Sequence, residues 1–343
     1  MTTITRARLA RPAAALASAL VVATCGGGAP SPTAPATPPA PPTPPRVDTT
    51  TATTVVPGRS YFGRNDYVEY VAGDVPIVIS APHGGSLTPS EIPDRTYGTL
   101  VTDANTRELA RDIVTAFQQR FPGRTPHVVI MHLRRTKVDA NRDIVEGAQG
   151  DPEGRQAWQE FQDYIAAARR RVVDRFGAGF YVDLHGHGHD VQRLELGYLT
   201  DAVDLYRTDA QLDAAASFET TSSIRTLSER SPLTFSGLLR GATSLGTLYE
   251  QAGFPAVPSA QQPNPGWVDA ARTERQPYFD GGYNTATHAC RTGGALCGVQ
   301  IEANFRGVRD TPANRARFAE ATVAVLDRYF RAHLGIAVDG SRP

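Results

Sequence analysis

From residue 75 onward, short apolar runs alternate with longer stretches in which apolar residues recur every three or four positions. The runs Val75–Ser80, His127–His132, Phe180–Leu184, Leu194–Thr200 and Gly298–Ala303 predict strands. Asn105–Arg120 carries Leu109, Ile113, Val114 and Phe117 at a helical period, and Glu153–Phe176 carries Trp158, Phe161, Tyr164 and Ile165. Helices are likewise predicted over Leu238–Ala252 and Arg315–Leu334, while 255–282 reads as a Pro- and Gly-rich loop. Strand and helix alternate without internal repeat, which predicts a three-layer α/β fold.

The pattern differs before residue 58. Arg6, Arg8 and Arg11 precede the apolar stretch Ala13–Thr24, which is too short to span a membrane. This predicts an export signal over residues 1–25. Val22-Ala23-Thr24-Cys25-Gly26 resembles a bacterial lipobox, whose Cys is lipidated and becomes the mature N-terminus, with Thr24 where the pattern has Gly, Ala or Ser. An ordinary signal peptide cut nearby is the alternative. Residues 26–57 are mostly Gly, Pro, Thr, Ala and Ser, a composition that buries no core and predicts a disordered tether. Residues 58–343 then form a single catalytic domain. The expected location is periplasmic or cell-surface, with contact to the membrane only through a lipid anchor at Cys25. Lys+Arg and Asp+Glu are both 35, so the net charge is zero and nothing favours a nucleic-acid partner. In an oxidising compartment Cys290 and Cys297 are expected to close a small loop as a disulfide, two free buried thiols being the alternative.

Two predicted strands end in histidine and glycine. Val75–Ser80 leads to Ala81-Pro82-His83-Gly84-Gly85, and Phe180-Tyr181-Val182 leads to Asp183-Leu184-His185-Gly186-His187-Gly188. Open α/β sheets place ligands at such strand ends. Catalytic zinc commonly takes three ligands from His, Asp and Glu and keeps a position open for water. His83 and His185 are the first two ligand candidates; Asp103, Glu91 and Asp183 compete as the third. Asp103 also stands where it would cap the helix after it. Asp183 is assigned to the opposite side of the strand from His185, and Glu91 lies in a loop. His187 and His189 read as groups behind the site or at the surface. Gln300 and Glu302 share one face of the last strand, and a buried carboxylate there suits a general base. Arg135 and Arg142 can divide two tasks, one polarising a scissile carbonyl and one gripping a carboxylate in a bidentate fork. Gly281-Gly282-Tyr283-Asn284 puts a tyrosine on a loop that either closes over substrate or simply turns.

These pieces together resemble the N-formylglutamate amidohydrolase family, a branch of the zinc carboxypeptidase-like (phosphorylase/hydrolase-like) fold. They are Ser80–Gly85, Asp103 through Arg111, Arg135 through Arg142, Asp183-Leu184-His185, Gly281-Gly282-Tyr283 and Gln300-Ile301-Glu302, in the family's order across residues 75–305. The resemblance implies a three-layer α/β/α fold with a central mixed sheet. It implies one Zn2+ per chain at His83, Asp103 and His185, Glu302 as base, and a substrate carboxylate received by Asn141 and Arg142. Two features depart from the family: Ser86 stands where the peptidases carry Glu, and the chain carries an export signal. The expected function is a zinc-dependent amide hydrolase acting on a small N-acyl, N-formylglutamate-like amino acid with a free carboxylate. A zinc peptidase or cell-wall amidase of the same fold, cleaving a short peptide, is one alternative; a non-catalytic ligand-binding lipoprotein is another.

Overall fold

The computed structural model describes residues 55–342. The predicted export signal, Cys25 and the predicted tether up to residue 54 lie outside the described residues. Eight strands form one mixed sheet: β1 (Ser60–Phe62), β2 (Val68–Val71), β3 (Ile77–Ala81), β4 (His127–Met131), β5 (Gly179–His187), β6 (Leu194–Gly197), β7 (Ala256–Val257) and β8 (Leu296–Asn304), in the order β1-β2-β4-β3-β5-β8-β6-β7. The central four, β4, β3, β5 and β8, run parallel; β2 joins β4 and β6 joins β8 antiparallel.

Three long helices cover the sheet: α1 (Thr106–Arg120), then, after the short α2 (Ile144–Ala148), α3 (Pro152–Phe176), and the C-terminal helix introduced below. Five short helices follow between β6 and β7: α4 (Asp209–Ala214), α5 (Ala216–Thr221), α6 (Arg225–Arg230), α7 (Phe235–Arg240) and α8 (Leu245–Gln251). The chain closes with α9 (Tyr283–His288) and α10 (Pro312–His333). Asp151 and Thr311 cap α3 and α10 by accepting from Gly154 N at 2.7 Å and Asn314 N at 3.1 Å, each ahead of a Pro in the first turn.

Alternation along the central strands divides the core in two. Ile77, Ile79, Val182, Leu184, Val299 and Ile301 pack with α1 and α10. Val78 and Tyr181 pack with Phe161, Ile165 and Val172 of α3. Both faces are therefore covered, which is why these strands read as nearly continuous apolar runs. On the α3 face, polar residues gather towards the C-terminal strand ends, at Ser80, Asp183, His185, Gln300 and Glu302, with His127 at the start of β4. The chain passes from β3 through α1 to β4 on one side, then through α3 to β5 on the other. That reversal opens a crevice beyond the ends of β3 and β5, the usual ligand position in such sheets.

Two predicted elements differ. Leu238–Ala252 is two helices, α7 and α8. Gly241 leaves the helix in an extended conformation, and Ser244 starts the next by accepting from Thr247 N at 3.3 Å. Strand Leu194–Thr200 stops at Gly197, because Leu199 adopts a left-handed φ of 62°. Cys290 and Cys297 form a disulfide with Cα atoms 4.4 Å apart, as expected.

Candidate metal centre

Beyond the end of β3, His83 meets Asp103 from the loop before α1 and His185 from β5. His83 Nδ1 lies 3.3 Å from Asp103 Oδ2, and His185 Nδ1 lies 3.2 Å from the same oxygen. All three side chains are buried and offer ligand atoms within 4.8 Å of one another. The outer ring nitrogens face carboxylates more closely: His83 Nε2 to Asp139 Oδ1 at 2.7 Å, His185 Nε2 to Asp183 Oδ2 at 2.9 Å. If each ring donates its proton outward, both Nδ1 lone pairs point at a carboxylate oxygen. Three acceptors then face one point, an arrangement that needs either extra protons or a cation. Bonds of ~2.0–2.2 Å in tetrahedral geometry set ligand atoms ~3.3 Å apart, which matches the 3.2 and 3.3 Å separations. Outward carboxylates fixing the tautomer are also the usual surroundings of metal-bound histidine. The residues therefore fit a divalent metal.

The electrostatics agree. Burial disfavours a charged His185, yet Asp183 and the hydrogen bond to Asp103 outweigh it and hold its pKa well above the usual 6.5. Burial works against Asp103 too, but the two imidazoles keep its carboxyl far below the ordinary range. Each group thus favours positive charge at this point.

Asp103 rather than Glu91 completes the set. Glu91 accepts the hydroxyl of Tyr67 and is exposed, outside the cluster. Asp103 is not a helix cap either: Asn105 precedes α1 in a left-handed conformation with no side-chain cap. The placement of Asp183 opposite His185 is corrected. Residues two apart on a strand share a face, and Asp183 reaches the imidazole, accepting also from Ser80 Oγ at 2.5 Å. Ser86 is exposed and accepts from Arg107.

Glu302 is the direct β8 neighbour of His185. Burial pushes its carboxyl up to about 8, with Asp103 and Glu195 adding to the rise and His185 opposing it. Gln300 Nε2 donates to its Oε1 at 3.0 Å. A cavity of about 120 Å³ opens here, lined by His83, Asp103, His185, Glu302 and both candidate arginines. Arg135 is buried, donating from Nε to Asp139 Oδ2 at 2.9 Å, with Nη1 3.7 Å from Asp103 Oδ1. Arg142 is half-exposed at the cavity edge, its Nε 3.3 Å from Glu146 Oε1. Asn141 lines the same cavity, but its amide is engaged: Oδ1 accepts from Asn284 N at 2.8 Å, and Nδ2 lies 3.2 Å from His185 Nε2. Tyr283 stands apart. It opens α9, and its ring packs 5.8 Å from Trp158, leaving the wall to Phe279, Gly281 and Gly282.

His187 and His189 gather near Glu195 as a second group. His187 donates from Nε2 to Arg193 O at 2.7 Å and accepts at Nδ1 from His189 N at 3.1 Å, so no lone pair of its ring is left for a cation. Sequence reasoning gave no role to Asp139 or to the Gln162–Asn284 pair. Gln162 of α3 donates to Asn284 Oδ1 at 3.1 Å, which links the helix to Asn141 and His185. A buried polar residue within the apolar face of α3 was the available signal.

No protein-family model matches the chain, and no curated protein does. Among solved structures, the chain is similar to an N-formylglutamate amidohydrolase from Ralstonia eutropha JMP134, at 11% identity and a TM-score of 0.45, over 78% of this chain and 97% of that one. It is similar to a gene product of Agrobacterium tumefaciens, at 14% identity and a TM-score of 0.40, over 77% of this chain and 96% of that one. It is also similar to succinylglutamate desuccinylase from Chromobacterium violaceum, at 11% identity and a TM-score of 0.36, over 84% and 77% of the two chains. At such identities the chemistry has to be read from this chain's own residues.

Proposed function

We propose that this chain is a zinc-dependent amide hydrolase acting on a small N-acyl amino acid with a free carboxylate. One observation carries the reading: His83 Nδ1, His185 Nδ1 and Asp103 Oδ2 converge on one point, with the buried Glu302 next to His185 on the neighbouring strand. Two imidazoles and one carboxylate suit zinc. A bound zinc supplies Lewis acidity at a carbonyl and acidifies water towards a pKa of ~7. Asp139 and Asp183 hold the two imidazoles in the required tautomer. In its carboxylate form, which a cation bound beside it would favour, Glu302 would take a proton from the attacking water and deliver it to the leaving nitrogen. Arg135 faces the developing oxyanion, and Arg142, half-exposed at the edge, orients the substrate carboxylate. Asn141 supports this wall through His185 and Asn284, and Tyr283 acts from behind it through Trp158.

The small cavity of about 120 Å³ favours this reading over a peptidase or cell-wall amidase with an extended groove. A ligand-binding protein has no use for a buried carboxyl beside a metal. Export and lipidation at Cys25 belong to the same proposal, supported by residues 1–25 and by the Cys290–Cys297 disulfide, which suits an oxidising compartment.

A hydrolysis screen of N-acyl amino acids and their carboxamides tests the substrate class. The free acids should be preferred, and Arg142→Ala should lower their kcat/KM by roughly tenfold to a hundredfold, the effect of losing one charge-assisted contact. Carboxamides should be nearly insensitive to the same substitution. Equal treatment of both series by the unmodified enzyme rules out carboxylate recognition by Arg142.

A further inference from the structure

Phe279 is the one large apolar side chain among the described residues lining the cavity, and it remains 44% exposed. An exposed aromatic alone means little. This one is built into place. The His189 ring stacks on it with centroids 4.8 Å apart and planes 18° apart. His189 Nδ1 donates to Glu195 Oε1 at 2.7 Å, while Phe279 N donates to Glu195 Oε2 at 2.8 Å. Glu195 is buried on β6 and pairs across the sheet with Glu302. One buried carboxylate therefore fixes both the backbone of Phe279 and the ring behind it. The neighbours are fixed as well: Tyr278 donates to Leu196 O at 2.5 Å, and Leu199 N donates to Asp280 O at 2.6 Å. Gly281 has a φ of 125°, and a Cβ on Gly282 would lie 2.4 Å from Asn141 Nδ2, so this segment is pressed against the cavity wall. A rigid, preorganised aromatic with an exposed surface lowers the ordering cost of binding an apolar group.

We propose that Phe279, backed by His189 and Glu195, forms an aromatic subsite at the edge of the cavity that seats the aromatic side chain of an N-acyl amino acid. The proposal rests on the hydrolase reading and names its substrate class. Arg142 lines the same cavity, so one ligand carrying both a ring and a carboxylate meets both groups.

Calorimetric binding to the zinc-loaded Glu302→Gln protein, which should not cleave the ligand, tests the subsite without relying on turnover. N-acetyl-phenylalanine should bind about tenfold more tightly than N-acetyl-alanine. Phe279→Ala should erase that ratio, and Phe279→Tyr should keep it. His189→Ala, which removes the ring behind Phe279 and a hydrogen bond to Glu195, should reduce the ratio and raise KM for the aromatic substrate more than it lowers kcat. Equal affinities in the Glu302→Gln protein, or a further Phe279→Ala loss shared equally by both ligands, overturn the proposal. So does tighter binding of phenylacetyl-glycine than of N-acetyl-phenylalanine, which would put the ring on the acyl side. Turnover of the same ligands is read separately: discrimination in binding with no cleavage keeps the subsite and rejects the hydrolase reading, whereas cleavage with no discrimination does the reverse.

Discussion

At the scale of single residues, the carboxylates behind the histidines decide what the site can hold. Asp183 does not line the cavity beside the histidines, yet it accepts from His185 and is itself held by Ser80. Replacing it by Asn keeps the shape and removes the charge that fixes the imidazole. Asp183→Asn should therefore weaken metal binding by ~10–100-fold, the usual effect of losing such a partner. Chelator competition measures this; an unchanged affinity would remove Asp183 from the site. His83 and His185 were legible as ligand candidates because each follows an apolar run and precedes glycine. Asp139 and Asp183 were harder to read. Asp139 sits in a loop, and its contact with His83 spans 56 positions that no local pattern connects. Asp183 was misplaced only through the strand alternation, since positions 183 and 185 necessarily share a face.

At the scale of elements, the central strands and the long helices were legible because burial on one or both faces writes a strong periodicity. The short pieces were not. β1 and β2 are three and four residues long, too short for alternation to rise above chance. The break between α7 and α8 depends on Gly241 and Ser244, whose local geometry overrides a helical apolar period that runs through both segments. Nor did a turn signal around Gly281-Gly282 reveal that Tyr283 would start α9 with its ring against Trp158. Contact across the fold settled that position. The polar positions on β5 and β8 were the more informative signal, because a charged residue inside an otherwise apolar strand is costly without a partner.

At the scale of the whole molecule, buried histidines away from the site couple stability to pH. Burial lowers the pKa of His127 to about 3 and that of His288 to about 3. Below pH ~6.5 the unfolded chain binds protons there that the folded chain refuses. Stability from these groups is therefore full above that pH and is lost as pH falls towards 3. Each contributes a slope of ~1.4 kcal/mol per pH unit in that window. His127→Gln should make the fall shallower by about one such slope, seen by denaturant unfolding of zinc-saturated protein between pH 6.5 and 4; equal slopes in the two proteins would contradict this. The sheet that buries these histidines also brings together, from six separate stretches of chain, the residues of the proposed hydrolase. That proposal is tested most directly by Glu302→Gln, assayed for bound zinc and for N-acyl amino acid hydrolysis on one preparation. The variant should retain one zinc per chain and lose nearly all turnover, because the amide keeps the shape of the carboxylate but cannot take the proton from water. Near-normal turnover with zinc in place would contradict the account.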